Sequence, residues 1–332
     1  MLTPILAFRP ARVAERLGRR SEACPLATVE LLGPAGGLGV PLPLVRASVP
    51  AVARGALVAA KELGAPLGLA LRAGAPAPAR WFDAVAEAAD EIAAGLPIFL
   101  AGEVAPAGGD AAALEAALAE AWALVDAGVT QLAVDVAAVP PAERAATLAA
   151  LANPALERGI ALDVIVELEA LGPRAARGPA LVDELRRAHA APAILSVRCP
   201  AAADGEGATA QAATLARLGD ALRGTALARR GPLGGPFLEA QLATPVRIVE
   251  DGGAAEARAE AALPEGPGDP ASGPRGETRL ELAAARLDGD TRDRLEARAY
   301  LETHALLSRL GVAGAASRIA RSLERRLGSA RR

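Results

Sequence analysis

The sequence predicts an α/β chain folded as a (β/α)8 TIM barrel with a C-terminal helical extension. Three observations carry that expectation. Short apolar runs of strand length alternate with Ala-rich stretches of helix length across residues 41–263. The runs are apolar throughout instead of alternating, as strands covered on both faces are. A helix-stopping Gly or Pro precedes most of them, at Gly64, Gly95, Gly128, Gly159 and Pro192.

The units follow in order. Run 41–45 (PLPLV) leads to a helix over 49–63, run 66–71 (PLGLAL) to one over 81–94, and run 97–102 (PIFLAG) to one over 110–126. Run 131–136 (QLAVDV) precedes a helix over 142–158. Run 161–168 (ALDVIVEL), the longest β-branched stretch, precedes one over 179–190. Run 193–198 (AILSVR) precedes a helix over 208–223. The seventh unit is a strand over 225–229 with a short helix at 236–243, and the eighth is 245–250 (PVRIVE) with a helix over 254–263. Eight units with no visible break in strand order favour a closed barrel over an open doubly wound sheet.

Residues 1–40 form an N-terminal extension. Its Gly-rich stretch 33–39 (GPAGGLG) precedes the first strand instead of following it, the wrong place for a dinucleotide loop, and reads as a plain turn. The Pro/Gly-rich segment 264–278 reads as a flexible linker. Two helices over 279–332 end the chain, the first reaching residue 310 with an interruption at 288–290 and the second spanning 313–327.

Composition narrows the function. With 332 residues, 52% hydrophobic and 23% charged, the chain can bury a large core. A net charge of -3 without a basic stripe, and 2% aromatics, argue against a nucleic-acid partner. Two cysteines make neither a disulfide framework nor a zinc cluster. The N-terminus lacks the charge order of a signal peptide and no apolar run reaches a membrane span, so a cytoplasmic location with no membrane partner is expected. Lys61, the sole lysine, falls late in a helix, whereas Schiff-base chemistry would need a lysine at a strand end.

Barrel active sites lie at the C-terminal strand ends. Here those ends carry Arg46, Arg72, Glu103, Asp135, Glu167, Arg198, Arg229, Arg230, Glu250 and Asp251. Glu103, Asp135 and Glu167 are the candidate catalytic groups, as general acid and base or as oxygen ligands for Mg2+. Arg198, Arg229 and Arg230, with the backbone of Gly231, Gly234 and Gly235, are the candidate phosphate cradle for a phosphorylated sugar. The competing reading is that these charges pair with one another. Trp81, Trp122 and Cys199 read as packing residues, and the Arg-rich stretch 318–332 as a solvated helix face or subunit contact.

Segment 125–172 (VDAGVTQLAVDVAAVPPAERAATLAALANPALERGIALDVIVELEALG) resembles the fourth and fifth β/α units of the class II fructose- and tagatose-bisphosphate aldolases. Residues 127–130 (AGVT) match the strand entry, Asp135 the strand-end aspartate and Glu167 the glutamate closing the fifth strand. Residues 100–106 (LAGEVAP) resemble the third-strand segment, 41–71 the first unit and, loosely, 225–250 the last two. The likeness extends to the accessory subunit of tagatose-bisphosphate aldolase, through 90–92 followed by 100–106. It implies a lyase fold with a zinc centre, and this chain departs from it at the metal ligands. Glu103 stands at the acid–base aspartate, Val104 at a metal histidine, Arg198 and Cys199 at the sixth strand, and Arg229 and Arg230 at the seventh. The two histidines, His189 and His304, fall near a helix end and in the C-terminal helices. No zinc cofactor is therefore expected. Three functions stay open: a non-catalytic barrel that binds a sugar phosphate or a partner aldolase subunit, an active lyase or isomerase, and an assembly module whose C-terminal helices drive homo-oligomer formation.

Overall fold

The structure, a computed structural model, describes residues 4–172, 175–233, 245–261 and 289–330. Eight parallel strands close a barrel in sequence order. They are β1 (Leu42–Arg46), β2 (Leu67–Leu71), β3 (Ile98–Val104), β4 (Gln131–Asp135), β5 (Ala161–Glu167), β6 (Ile194–Arg198), β7 (Ala226–Arg230) and β8 (Val246–Glu250). The ring closes where β1 pairs β8, with Leu44 opposite Glu250. Ahead of β1 lie α1 (Ala11–Leu17) and α2 (Thr28–Gly37). The outer layer holds α3 (Pro50–Leu63), α4 (Pro78–Ala93), α5 (Ala111–Ala127), α6 (Arg144–Arg158), α7 (Arg177–Arg187), α8 (Gly205–Ala221) and α9 (Ala254–Ala261). Two helices follow, α10 (Gly289–Arg309) and α11 (Ala315–Ala330). The helix expected at 236–243 and the linker expected at 264–278 lie outside the described residues. Among the described residues, no helix is long and apolar enough to cross a membrane.

The Gly-rich stretch 33–39 is not a plain turn. Its first five residues complete α2, which runs through Pro34. Tertiary burial overrides the weak helix propensity: Leu31 and Ala35 are fully buried against the barrel floor.

Strand alternation divides the core into two. Val45, Leu67, Leu69, Leu100, Val164 and Val197 face the helices. Leu42, Leu44, Ala70, Phe99, Ala101, Ala228 and Ile248 fill the barrel. Phe99 lies across the floor over Gly68, where a Cβ would stand 2.2 Å from its ring. Barrel interiors are usually packed with branched side chains. The alanines above Phe99 leave that space to longer polar groups rising from β5, β6 and β7.

The C-terminal helices pack on the barrel. Helix α10 packs along α3 and α9, burying Leu295, Ala299, Leu306 and Leu307. Its backbone approaches α3 at Gly55, where a Cβ would stand 2.2 Å from the Glu296 carbonyl oxygen. Helix α11 is tied to the end of α3, Gly314 N–H donating to Leu63 O at 2.8 Å and Ala316 N–H to Gly64 O at 3.0 Å. It then crosses the barrel floor, burying Ile319 and Leu323 in one cluster with Ile5, Leu26 and Leu31.

Candidate functional site at the barrel mouth

Inward-facing positions on successive strands carry Arg46, Glu103, Asp135, Glu167, Arg198, Arg230 and Glu250 to the mouth. The structure brings the three candidate carboxylates together, and what they surround is a guanidinium. Arg198 Nη2 lies 2.7 Å from Asp135 Oδ2 and 3.7 Å from Glu103 Oε1, and Nη1 lies 2.7 Å from Glu167 Oε1. Burial works against the Arg198 charge, but Asp135 and Glu167 outweigh it and raise its pKa.

A second guanidinium sits deeper. Arg230 Nη2 lies 2.9 Å from Asp163 Oδ2, while Nη1 lies 3.1 Å from Glu250 Oε2 and 3.5 Å from Glu103 Oε2. Arg230 Nε donates to Ser196 Oγ at 3.2 Å. Desolvation opposes its charge, and Asp163, Glu250 and Glu103 together raise its pKa. Arg46 Nη2 reaches Glu103 at 3.6 Å and Glu250 at 3.5 Å. Glu103, only 7% exposed, thus touches all three guanidiniums.

Asp163, the buried anchor of the network, was not among the residues singled out in the sequence. Its Oδ2 accepts from Gln131 Nε2 at 2.8 Å and Ser196 Oγ at 2.9 Å besides Arg230. The available signal was a lone carboxylate inside an apolar strand, which burial obliges to find partners.

The other candidates are placed elsewhere. Arg229, next to Arg230, points off the barrel axis, donating from Nη1 to Gly231 O and from Nη2 to Pro232 O, both at 2.7 Å. Its burial lowers its pKa. Gly231 N–H donates to Glu250 O at 3.1 Å. The φ of +121° at Gly231 suits glycine, and a Cβ there would stand 2.1 Å from Cys199 O. Gly234 and Gly235 lie outside the described residues. Asp251 accepts from Leu233 N–H at 2.9 Å and pairs with Arg309 at 3.0 Å. Trp81 is buried with its indole N–H on Ala47 O at 2.7 Å, and Arg158 covers the Trp122 ring at 5.6 Å.

Zinc does not fit these donors. Val104 is buried among the side chains facing the helices. His189 follows the C-terminal end of α7, and His304 lies on α10 with its ring 5.7 Å from that of Tyr300, so neither stands on a barrel strand. Among the described residues, no three His, Cys, Asp or Glu side chains are placed to hold a metal ion. A cavity between Arg46, Gly253 and Leu306, beside the mouth, measures about 10 Å3, room for roughly one water.

Both cysteines are buried, and burial pushes Cys199 up to about 11 and Cys24 up to about 12 from 9.0. Folding therefore favours the protonated thiols. The stability this contributes is present below pH 9 and is lost as pH rises toward 11 and 12. At pH 8 an aromatic disulfide reagent should label neither thiol in the native protein and both after denaturation. Rapid native labelling of one thiol would show that its burial is wrong.

No family model matches the chain, and no curated protein does. Solved structures do. The YdjI aldolase from Escherichia coli K12 superposes with a TM-score of 0.60 at 12% identity, over 87% of this chain and 98% of that one. A fructose-bisphosphate aldolase from Campylobacter jejuni superposes with a TM-score of 0.56 at 15% identity, over 88% and 97%. At such identities the likeness establishes the barrel fold.

Proposed function

We propose that this chain, which has the barrel fold of those aldolases, is a non-catalytic class II aldolase-like subunit in which fixed arginines stand where a metal centre would be. One observation carries the reading. Glu103, Asp135 and Glu167 converge on the guanidinium of Arg198, so the carboxylates that could hold a cation already hold one covalently attached to the chain. Zinc acts as a Lewis acid by offering an open coordination position to a carbonyl. A guanidinium offers hydrogen-bond donors only, and here both terminal nitrogens are held by carboxylates. Phosphate capture is disfavoured for the same reason. Arg198 and Arg230 donate to carboxylates and Arg229 to carbonyls. The network's five carboxylates, Glu103, Asp135, Asp163, Glu167 and Glu250, outnumber the guanidiniums of Arg46, Arg198 and Arg230. A barrel of this kind works by supporting a partner.

The test uses the purified full-length protein supplied with zinc or magnesium. The expected result is no stoichiometric zinc after desalting and no cleavage of fructose or tagatose 1,6-bisphosphate. Neither sugar phosphate should raise the melting temperature, since a specific ligand far above its Kd adds a few kcal/mol. Cleavage that a chelator abolishes would overturn the proposal.

A further inference from the structure

We infer that the barrel floor, the end opposite the mouth, is a docking surface for an acidic segment of a partner protein. The inference deepens the reading of a non-catalytic subunit by naming the face and the chemistry of its partner, and it rests on that reading for its biological purpose. Its physical basis is separate.

Helix α11 has two faces with different employment. Ile319 and Leu323 are buried in the floor. Arg318, Arg321 and Arg325 stand on the outer side at helical spacings of three and four, all exposed. With Leu38 and Glu324 they line an open cleft of about 590 Å3. Among the described residues, none of the three arginines makes an ion pair or a side-chain hydrogen bond. Two more guanidiniums stand nearby. Arg247 lies over Gly36, its Cζ 3.1 Å from where a Cβ would be. Arg326 pairs with Glu30 at 2.8 Å and covers the Phe8 ring at 5.6 Å. Around the cleft, these five arginines against Glu30 and Glu324 leave a local surplus of +3 on a chain whose net charge is -3.

The complementary partner presents carboxylates. Guanidinium forks match carboxylate oxygens in pairs and are less costly to desolvate than ammonium groups. Leu38 adds an apolar contact at the cleft edge. A protein segment fits better than nucleic acid for two reasons. Glu324 interrupts the arginine row, and a peptide can set a neutral residue opposite it, which a phosphate backbone charged at every step cannot do. Among the described residues of the floor, the Phe8 ring is covered by Arg326 and is not free for base stacking.

The probe is a fluorescein-labelled 15-residue peptide, five repeats of Glu-Glu-Leu, titrated with the full chain at low salt and followed by anisotropy. Wild-type protein should bind it, more weakly as salt rises. The triple variant Arg318→Ser/Arg321→Ser/Arg325→Ser should bind about tenfold more weakly at an unchanged melting temperature, three rim ion pairs of ordinary strength being lost. The control Arg80→Ser/Arg187→Ser/Arg217→Ser removes the same charge from α4, α7 and α8 and should bind as wild type does. Should the triple variant fold poorly, Arg321→Glu alone should still weaken binding. No binding by wild type, or equal weakening by the control, would overturn the proposal. So would a 15-base-pair DNA duplex that binds more tightly than the peptide and depends on the same arginines. Chelator-sensitive cleavage of a ketose bisphosphate would defeat the non-catalytic reading and leave peptide binding unchanged, so the two failures are distinguishable.

Discussion

Arg230→Ala is expected to lower the unfolding free energy by about 3–5 kcal/mol, the cost of breaking a buried ion pair by removing one partner. The Arg230 side chain is 4% exposed, and the side chains of its partners Asp163, Glu250 and Glu103 are 0%, 2% and 9% exposed. Alanine would leave three carboxylates facing one another in a space too dry to screen them. Asp163→Ala should cost a similar amount, because it removes the 2.9 Å partner of Arg230 Nη2 and the acceptor of Gln131 Nε2 inside the barrel. The double variant should lose clearly less than the sum, since its two deletions share one interaction. Arg198→Ala should cost less than either, because the Arg198 side chain is 33% exposed and water can take over part of its role. Urea denaturation of the four variants measures all of this. An Arg230→Ala protein within 1 kcal/mol of wild type would show that the network does not hold the barrel together.

The contrast between Arg230 and Arg229 shows where sequence reading stops. The strands themselves were legible, because most are apolar runs that end near a charge and follow a helix stop. Even the small errors have a cause. The runs at 41, 66, 97 and 245 open with proline, and each strand begins one residue later, at Leu42, Leu67, Ile98 and Val246. Proline has no N–H to give the ladder, so pairing starts after it. Glu103, Asp135 and Glu167 were legible as strand ends for the same reason. Which of two adjacent strand-end arginines turns inward depends on pleat parity, and a shift of one residue reverses it. Which acid meets which base depends on the stagger of eight strands around the ring. Register places Glu167 beside Arg198 and Arg230 beside Glu250, but Arg198 and Glu103 meet across the barrel. Such a contact belongs to the closed ring and to no segment of the chain. Asp163 was hidden differently: four apolar neighbours made its strand look like packing alone.

Ending the chain after Gly314 is expected to unfold the protein, not merely to dissociate it. An assembly role for the C-terminal helices would require an apolar face left over for another copy. The two large apolar residues at the centre of α11 are already used: Ile319 and Leu323 are 0% exposed, against Ile5, Leu26 and Leu31. Each such side chain is worth about 2–5 kcal/mol when truncated to alanine. Losing both, and baring the residues beneath them, would remove most of a typical stability of about 5–15 kcal/mol. Leu323→Ala alone should cost about 2–5 kcal/mol with the oligomeric state unchanged. Thermal melts and light scattering on the full chain, the truncated chain and Leu323→Ala separate the two roles. A truncated chain that melts as wild type does but loses a dimer would sink the capping role. The capping role also explains the division of labour on α11. A helix held by its apolar side can present its arginines in fixed positions, which a loosely attached tail could not do. Conversion of Arg318, Arg321 and Arg325 to serine should therefore leave the melting temperature alone, while Leu323→Ala lowers it.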